Sequence, residues 1–197
     1  GTRSNREITI MDSGSALARD DTFMTAELQI LKRRYEASPD LPVTVPLDGA
    51  GTVSVVGSRE FVLQVSRLLL LQSAAFSSPE DLHLAVVSPE QTRADWEWAT
   101  WLPHLADQDK THRTGPVRRI APSMDTLADL VQDDLSRRSN MAAEARKNFL
   151  RGGIGSALPR LLVVSDSYGT LPSELPLPDR QAAPGQLGIT TLHLAAD

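Results

Sequence analysis

Two short stretches hold side chains whose types and spacing could do chemistry. Gly57-Ser58-Arg59 follows directly on the β-branched run Thr52–Val56 and opens an apolar-periodic segment from Arg59 to Phe76. Strand, glycine turn and helix N-terminus is where α/β proteins hold phosphates, because backbone N–H groups and the helix dipole point outward there. Asp166 closes the second stretch, Arg160-Leu161-Leu162-Val163-Val164-Ser165. A carboxylate at the C-terminal end of a buried parallel strand faces the ligand crevice of such a sheet. Together these residues predict a vestigial nucleotide and magnesium site made of Gly57, Ser58, Arg59 and Asp166, with Asp166 the one candidate metal ligand. The reactive groups themselves are missing. A working phosphate loop has the form G-x-x-x-x-G-K-[ST], with a lysine for the outer phosphates and a hydroxyl for magnesium. Here the turn has no second glycine, no lysine and no such hydroxyl. Ser167 follows Asp166 where a hydrolase carries a glutamate, and a serine hydroxyl is no base at neutral pH. Ser58 also reads as an N-cap with Glu60 in the first turn, which is the simpler local account of the motif.

No catalytic residue is predicted. The four histidines, His83, His104, His112 and His193, are scattered without ligand-like spacing, and zero cysteines exclude disulfides and thiolate zinc sites. Trp96, Trp98 and Trp101 fall within six positions and read as core anchors rather than a stacking platform. His104, behind Leu102-Pro103, reads as a structural hydrogen-bonder. Lys32-Arg33-Arg34 closes a predicted helix, where positive charge suits the dipole. Arg146, Lys147 and Arg151, with Gly152, Gly153 and Gly155, read as a solvated insertion rather than an anion site. A dinucleotide-type enzyme would need a glycine fingerprint and an acidic ribose ligand, and the sequence has neither.

The elements that must position these residues can be read in order. Residues 1–20 are polar and patternless apart from a possible strand at Glu7–Met11, and read as a linker or arm. Thr25–Glu36 predicts a helix, Val43–Leu47 an edge strand and Asp48-Gly49-Ala50-Gly51 a hairpin turn. Thr52–Val56 is expected as buried sheet. Leu82–Val87 reads as an apolar strand, residues 92–102 as the tryptophan helix and 105–115 as a polar loop. Pro116–Ile120 reads as a strand near an edge. Ser123 caps an expected helix Met124–Arg138 with Leu127, Leu130, Val131 and Leu135 as its buried stripe. A proline-rich loop over Leu171–Gly185 leads to a last strand, Gly188–Leu194. The expected organisation is an arm over 1–20 and one α/β domain over 21–197.

With 197 residues, 41% hydrophobic and 23% charged, the chain has the composition of a soluble globular protein. A net charge of −5 supplies no basic field, so nucleic acid is not an expected partner. No apolar run approaches the roughly 20 residues that span a bilayer. The start at Gly1 without methionine or signal pattern reads as an excised piece of a longer protein.

The order hairpin, strand, degenerate loop, helix, strand, tryptophan helix, strand, helix and apolar strand ending in aspartate resembles a known family. It is similar to the membrane-proximal cytoplasmic domain of the FtsK/SpoIIIE-type ATPase of actinobacterial type VII secretion systems, the EccC family. The most specific match is Leu82–Val87 followed by Trp96-Glu97-Trp98-Ala99-Thr100-Trp101-Leu102-Pro103-His104. It resembles that family's W-D-W-x-x-W-L-P-H block, with Glu97 in place of the aspartate. Gly115-Pro116-Val117-Arg118 and Leu161–Asp166 follow in order, so the resemblance covers roughly residues 20–197. It implies a RecA-like fold of the P-loop NTPase type: a mostly parallel sheet, helices on both faces and a degenerate nucleotide site. It further implies a coupling domain at the cytoplasmic face of the membrane, between N-terminal membrane helices and downstream FtsK-like ATPase domains. The partners implied are those domains and other translocase subunits, in a hexamer when fully assembled, with the isolated domain a monomer. The membrane would be reached only through an N-terminal part outside this chain. No cofactor is required by this reading, while weak ATP and Mg2+ binding stays open. The alternatives are a weakly active ATPase domain and a Rossmann-like small-molecule-binding domain.

Overall fold

The computed structural model describes residues 4–5, 22–38, 44, 50–113, 115–149, 159–179 and 182–197. The expected strands at Glu7–Met11 and Val43–Leu47, the first half of the Asp48–Gly51 turn and the glycines between 152 and 155 lie outside these residues, Thr44 excepted. The chain forms two compact units, Gly1–Val45 and Pro46–Asp197. In the first, β1 (Ser4–Asn5) precedes α1 (Thr22–Glu36), and β2 (Ala37–Ser38) pairs antiparallel with β1.

The second unit is built on five parallel strands. In chain order they begin with β3 (Thr52–Val56), which leads into α2 (Arg59–Phe76), and β4 (Leu82–Val87). A 3₁₀ segment, Glu90–Trp101, carries the tryptophans, and a hairpin of β5 (Ala106–His112) and β6 (Gly115–Arg118) follows. Then come β7 (Ile120–Ala121), α3 (Met124–Leu130), α4 (Gln132–Phe149), β8 (Arg160–Ser165) and β9 (Ile189–Ala195). The spatial order is β3-β9-β8-β4-β7, so β8 is the middle strand, with Ser165 opposite Val87 on one side and His193 on the other.

Alternation along the strands builds two cores. Leu84, Val86, Leu162 and Val164 face one side, packing with Val62 and Leu70 of α2 and with Trp96. Ala85, Val87, Leu161 and Val163 face the other, against Met124, Leu127, Val131 and Leu135. Both faces of β4 and β8 are thus covered, which is why these strands read as continuous apolar runs.

Four expectations need correction. Thr52–Val56 is not fully buried sheet: β3 lies at one end of the five-stranded order and alternates, with Val53 and Val55 half-buried and Val56 50% exposed. Residues 105–115 are not all loop, because the backbone groups of polar β5 pair with β6 across a register shift between Asp107 and Thr111. The helix from Met124 is two helices, broken at Val131 with α4 running on to Phe149, though Leu127, Val131 and Leu135 form the expected stripe. Core packing holds for Trp96, while Trp101 is 86% exposed. The caps at Ser58 and Ser123 are as expected, accepting from the N–H of Phe61 and Thr126.

Candidate functional site

The C-terminal end of β8 and the N-terminus of α2 meet above the sheet. The Asp166 N–H donates to the Val87 carbonyl at 2.8 Å, so the chain leaves the central strand still tied to β4. Asp166 is thereby fixed beside the first turn of α2, and its side chain has no solvent exposure. Arg59 reaches it across 107 positions of sequence as a two-pronged fork: Nη1 donates to Oδ1 at 2.5 Å and Nη2 to Oδ2 at 2.8 Å. The same Nη2 donates to Oδ2 of Asp95 at 2.6 Å. The Trp96 indole N–H donates to Oδ2 of Asp166 at 2.8 Å, which gives the one polar atom of this buried ring its partner. Tyr168 lies under the guanidinium, 5.4 Å from its ring centre, within cation–π range.

Electrostatics follow from this geometry. Burial alone would push the Asp166 carboxyl up, but the hydrogen bonds from Arg59 and Trp96 and the guanidinium charge outweigh it and hold the group below the ordinary carboxylate range. Arg59 is raised in turn, chiefly by its bond to Asp166; burial opposes this next, and the bond to Asp95 adds to the rise. Both groups are therefore charged near neutral pH.

The expected residues are therefore only partly brought together. Arg59 and Asp166 touch; the bonds of Gly57 and Ser58 run elsewhere. The Gly57 N–H donates to the Ala195 carbonyl at the end of β9, and Ser58 Oγ accepts from Phe61. Gly57 has φ of +153°, and a Cβ there would lie 2.8 Å from the Phe61 ring. This position is glycine for the turn, with its amide turned to the sheet rather than to a ligand. Ser167 Oγ donates to the Leu194 carbonyl at 3.4 Å. Asp95 and Tyr168 were not expected at the site. A carboxylate directly before the buried tryptophan was the available signal.

A nucleotide with magnesium is the natural group to test against a site of this position. The side chains do not fit it. Each oxygen of Asp166 already accepts from a donor, a guanidinium lies against both of them, and none of the hydrogen bonds to Asp166 comes from a lysine among the described residues. Among the described residues, no group of three or more His, Asp or Glu is placed to hold a metal ion. His104 is a structural residue, with Nε2 2.9 Å from the Ser77 carbonyl oxygen. A cavity of about 750 Å³ lies on another flank of Trp96, between Arg93, Glu97, Arg118, Ile120 and Leu130. No helix among the described residues is long and apolar enough to cross a membrane.

Known proteins resemble this chain in sequence and fold. No protein-family model matches it. The ESX secretion system protein EccC of Thermomonospora curvata is 29% identical over 111 residues, covering 56% of this chain and 8% of that protein. The ESX-3 secretion system protein EccC3 of Mycobacterium tuberculosis is 27% identical over 157 residues, 80% of this chain and 11% of that one. The ESX-5 protein EccC5 of the same organism is 31% identical over 101 residues, 51% and 7% of the two chains. This chain thus spans about a tenth of the length of these relatives. Among solved structures, EssC (ATPases 2 and 3) from Geobacillus thermodenitrificans superposes with a TM-score of 0.50 at 17% identity, over 77% of this chain and 29% of that one. That likeness identifies the fold as the α/β fold of P-loop ATPases, in agreement with the parallel sheet. In sequence the chain is therefore similar to EccC proteins of ESX secretion systems, over up to 80% of its length, and in fold to the EssC chain.

Proposed function

We propose that this domain is a coupling module of a type VII secretion motor, built on the ATPase fold but not itself hydrolysing ATP. In the parent protein it would stand at the cytoplasmic face of the membrane. There it would join membrane helices to downstream FtsK-like ATPase domains within a hexamer, and pass on the state of those domains. The observation that carries this reading is the Arg59–Asp166 ion pair, which uses the surviving acidic residue of the site for an internal contact. Ser167 in the position of the activating base, bonded to the Leu194 carbonyl, supports the same reading. Phosphoryl transfer depends on charge stabilisation by lysine and metal and on a positioned water, effects worth many kcal/mol of barrier.

Two measurements test it. The purified chain should show no magnesium-dependent ATP turnover above background. A rate of about 1 per second or faster, abolished by Asp166→Ala, would make the domain an ATPase instead. In the parent protein, Asp166→Asn should reduce export at unchanged protein level; unchanged export would leave Asp166 a relic with no part in coupling.

A further inference from the structure

We propose that the pocket between Asp95, Asp166 and Tyr168 is a guanidinium site that Arg59 fills from within the chain, locking the tryptophan segment to the central strand. The inference rests on the reading of the domain as non-hydrolysing, and it assigns the former nucleotide site a new occupant and a new task.

The contacts at the site together match the planar, many-donor shape of a guanidinium. The planar fork meets the Asp166 carboxylate with two parallel bonds, Nη1 to Oδ1 and Nη2 to Oδ2. The outer N–H of Nη2 serves Asp95 at 2.6 Å, so one planar cation bonds both carboxylates. The flat face lies over Tyr168 at 5.4 Å. The charges also close: two carboxylates face Arg59 and, beyond it, Arg67, whose Nη2 is 4.0 Å from Asp95 Oδ1 and 3.3 Å from the Asp95 carbonyl. A phosphate would add negative charge to a set that is already neutral, and a magnesium ion would have to displace a cation in bidentate contact.

The occupant ties together three elements distant in sequence. Arg59 belongs to α2, Asp95 lies 36 positions on in the tryptophan segment, and Asp166 a further stretch away at the end of β8. Trp96, next to Asp95, adds a second bond between the tryptophan segment and Asp166. The side-chain ties from the Glu90–Trp101 segment to the end of the central strand therefore centre on one carboxylate and the cation upon it. That segment also walls the cavity beside Trp96, so Arg59 positions one side of the cavity without lining it.

The test is chemical rescue in the 197-residue chain. Arg59→Ala should lower the Tm by about 10 °C. Guanidinium chloride at about ten to fifty millimolar, far below denaturing concentration, should recover part of that loss. Sodium chloride at equal ionic strength should recover none, and neither salt should raise the Tm of the unaltered chain. An unshifted Tm, or a loss that guanidinium leaves untouched, overturns the proposal. Asp95→Ala is the milder second variant, since Asp95 is part-exposed. It should speed amide exchange over residues 90–101 by about tenfold, while leaving α3 unchanged. Unchanged exchange over those residues also overturns the proposal. Failed rescue would leave the non-hydrolysing reading standing, and ATP turnover by the unaltered chain would defeat that reading whatever the rescue shows.

Discussion

Replacing Asp166 with asparagine keeps the shape of the most buried acidic side chain at the site and removes its charge. The carboxylate accepts three bonds, two from Arg59 and one from Trp96, and has no solvent exposure to replace them. An asparagine has one acceptor oxygen, so its NH2 group must face either the arginine fork or the indole N–H, donor against donor. Bonds to charged groups contribute about 1.5–3 kcal/mol each. Relief from burying a carboxylate returns several kcal/mol, which leaves a net loss of about 2–4 kcal/mol. For a chain of this size that is a Tm lower by roughly 10 °C near neutral pH. The pH dependence has a definite sign. Asp166 is held below its ordinary range, so the unfolded chain takes up this proton first. Its contribution is complete above about pH 4, the unfolded value, and is lost as pH falls through the folded value. The Tm curves of the two proteins should therefore converge on acidification. His83 and His193 are present in both and cancel. Melts across the acid range check this. An offset below about 1 °C near neutrality, or a gap that widens in acid, would refute the reasoning.

Three further outcomes follow from the same geometry. Gly57→Ala should cost about 1–3 kcal/mol, because φ is +153° and the new methyl would meet the Phe61 ring at 2.8 Å, and a denaturant titration measures it. Trp96→Phe keeps the ring in the core but removes the indole donor from Asp166, and should cost about 1–3 kcal/mol by the same titration. His83 is lowered first by burial and then by the Arg119 charge, so its stabilising contribution is present above about pH 6.5 and falls as pH drops. The loss of Tm on acidification below that value should be smaller in His83→Gln than in the unaltered chain.

Features written in local pattern were legible in the sequence. The apolar run Leu161–Val164 ending at Asp166, the caps at Ser58 and Ser123 and the stripe Leu127, Val131 and Leu135 are each set by neighbours a few positions apart. The likeness of the chain to EccC proteins was also legible in the sequence. Pairings that depend on topology were not. Arg59 and Asp166 are 107 positions apart. Nothing in either stretch says that the guanidinium folds back onto the carboxylate instead of facing a ligand. The last strand inserts between β3 and β8 and leaves β3 at one end of the sheet, an order that strand composition does not encode. Polar β5 lacks an apolar alternation because the β5–β6 pair forms its own two-stranded sheet, held by backbone bonds. Asp95 was hidden beside the tryptophans, whose aromatic signal was the louder one.

The central claim is that Arg59 and Asp166 satisfy each other, so that the site has no place for a metal-bound nucleotide. The most direct test is a titration of the chain with ATP and Mg2+, watched by NMR at the Trp96 indole N–H, which reports on Asp166 at 2.8 Å. The account predicts that this resonance stays where it is up to about 1 mM nucleotide. A saturable shift with a dissociation constant of about 1 μM or tighter, lost in Asp166→Asn, would contradict it.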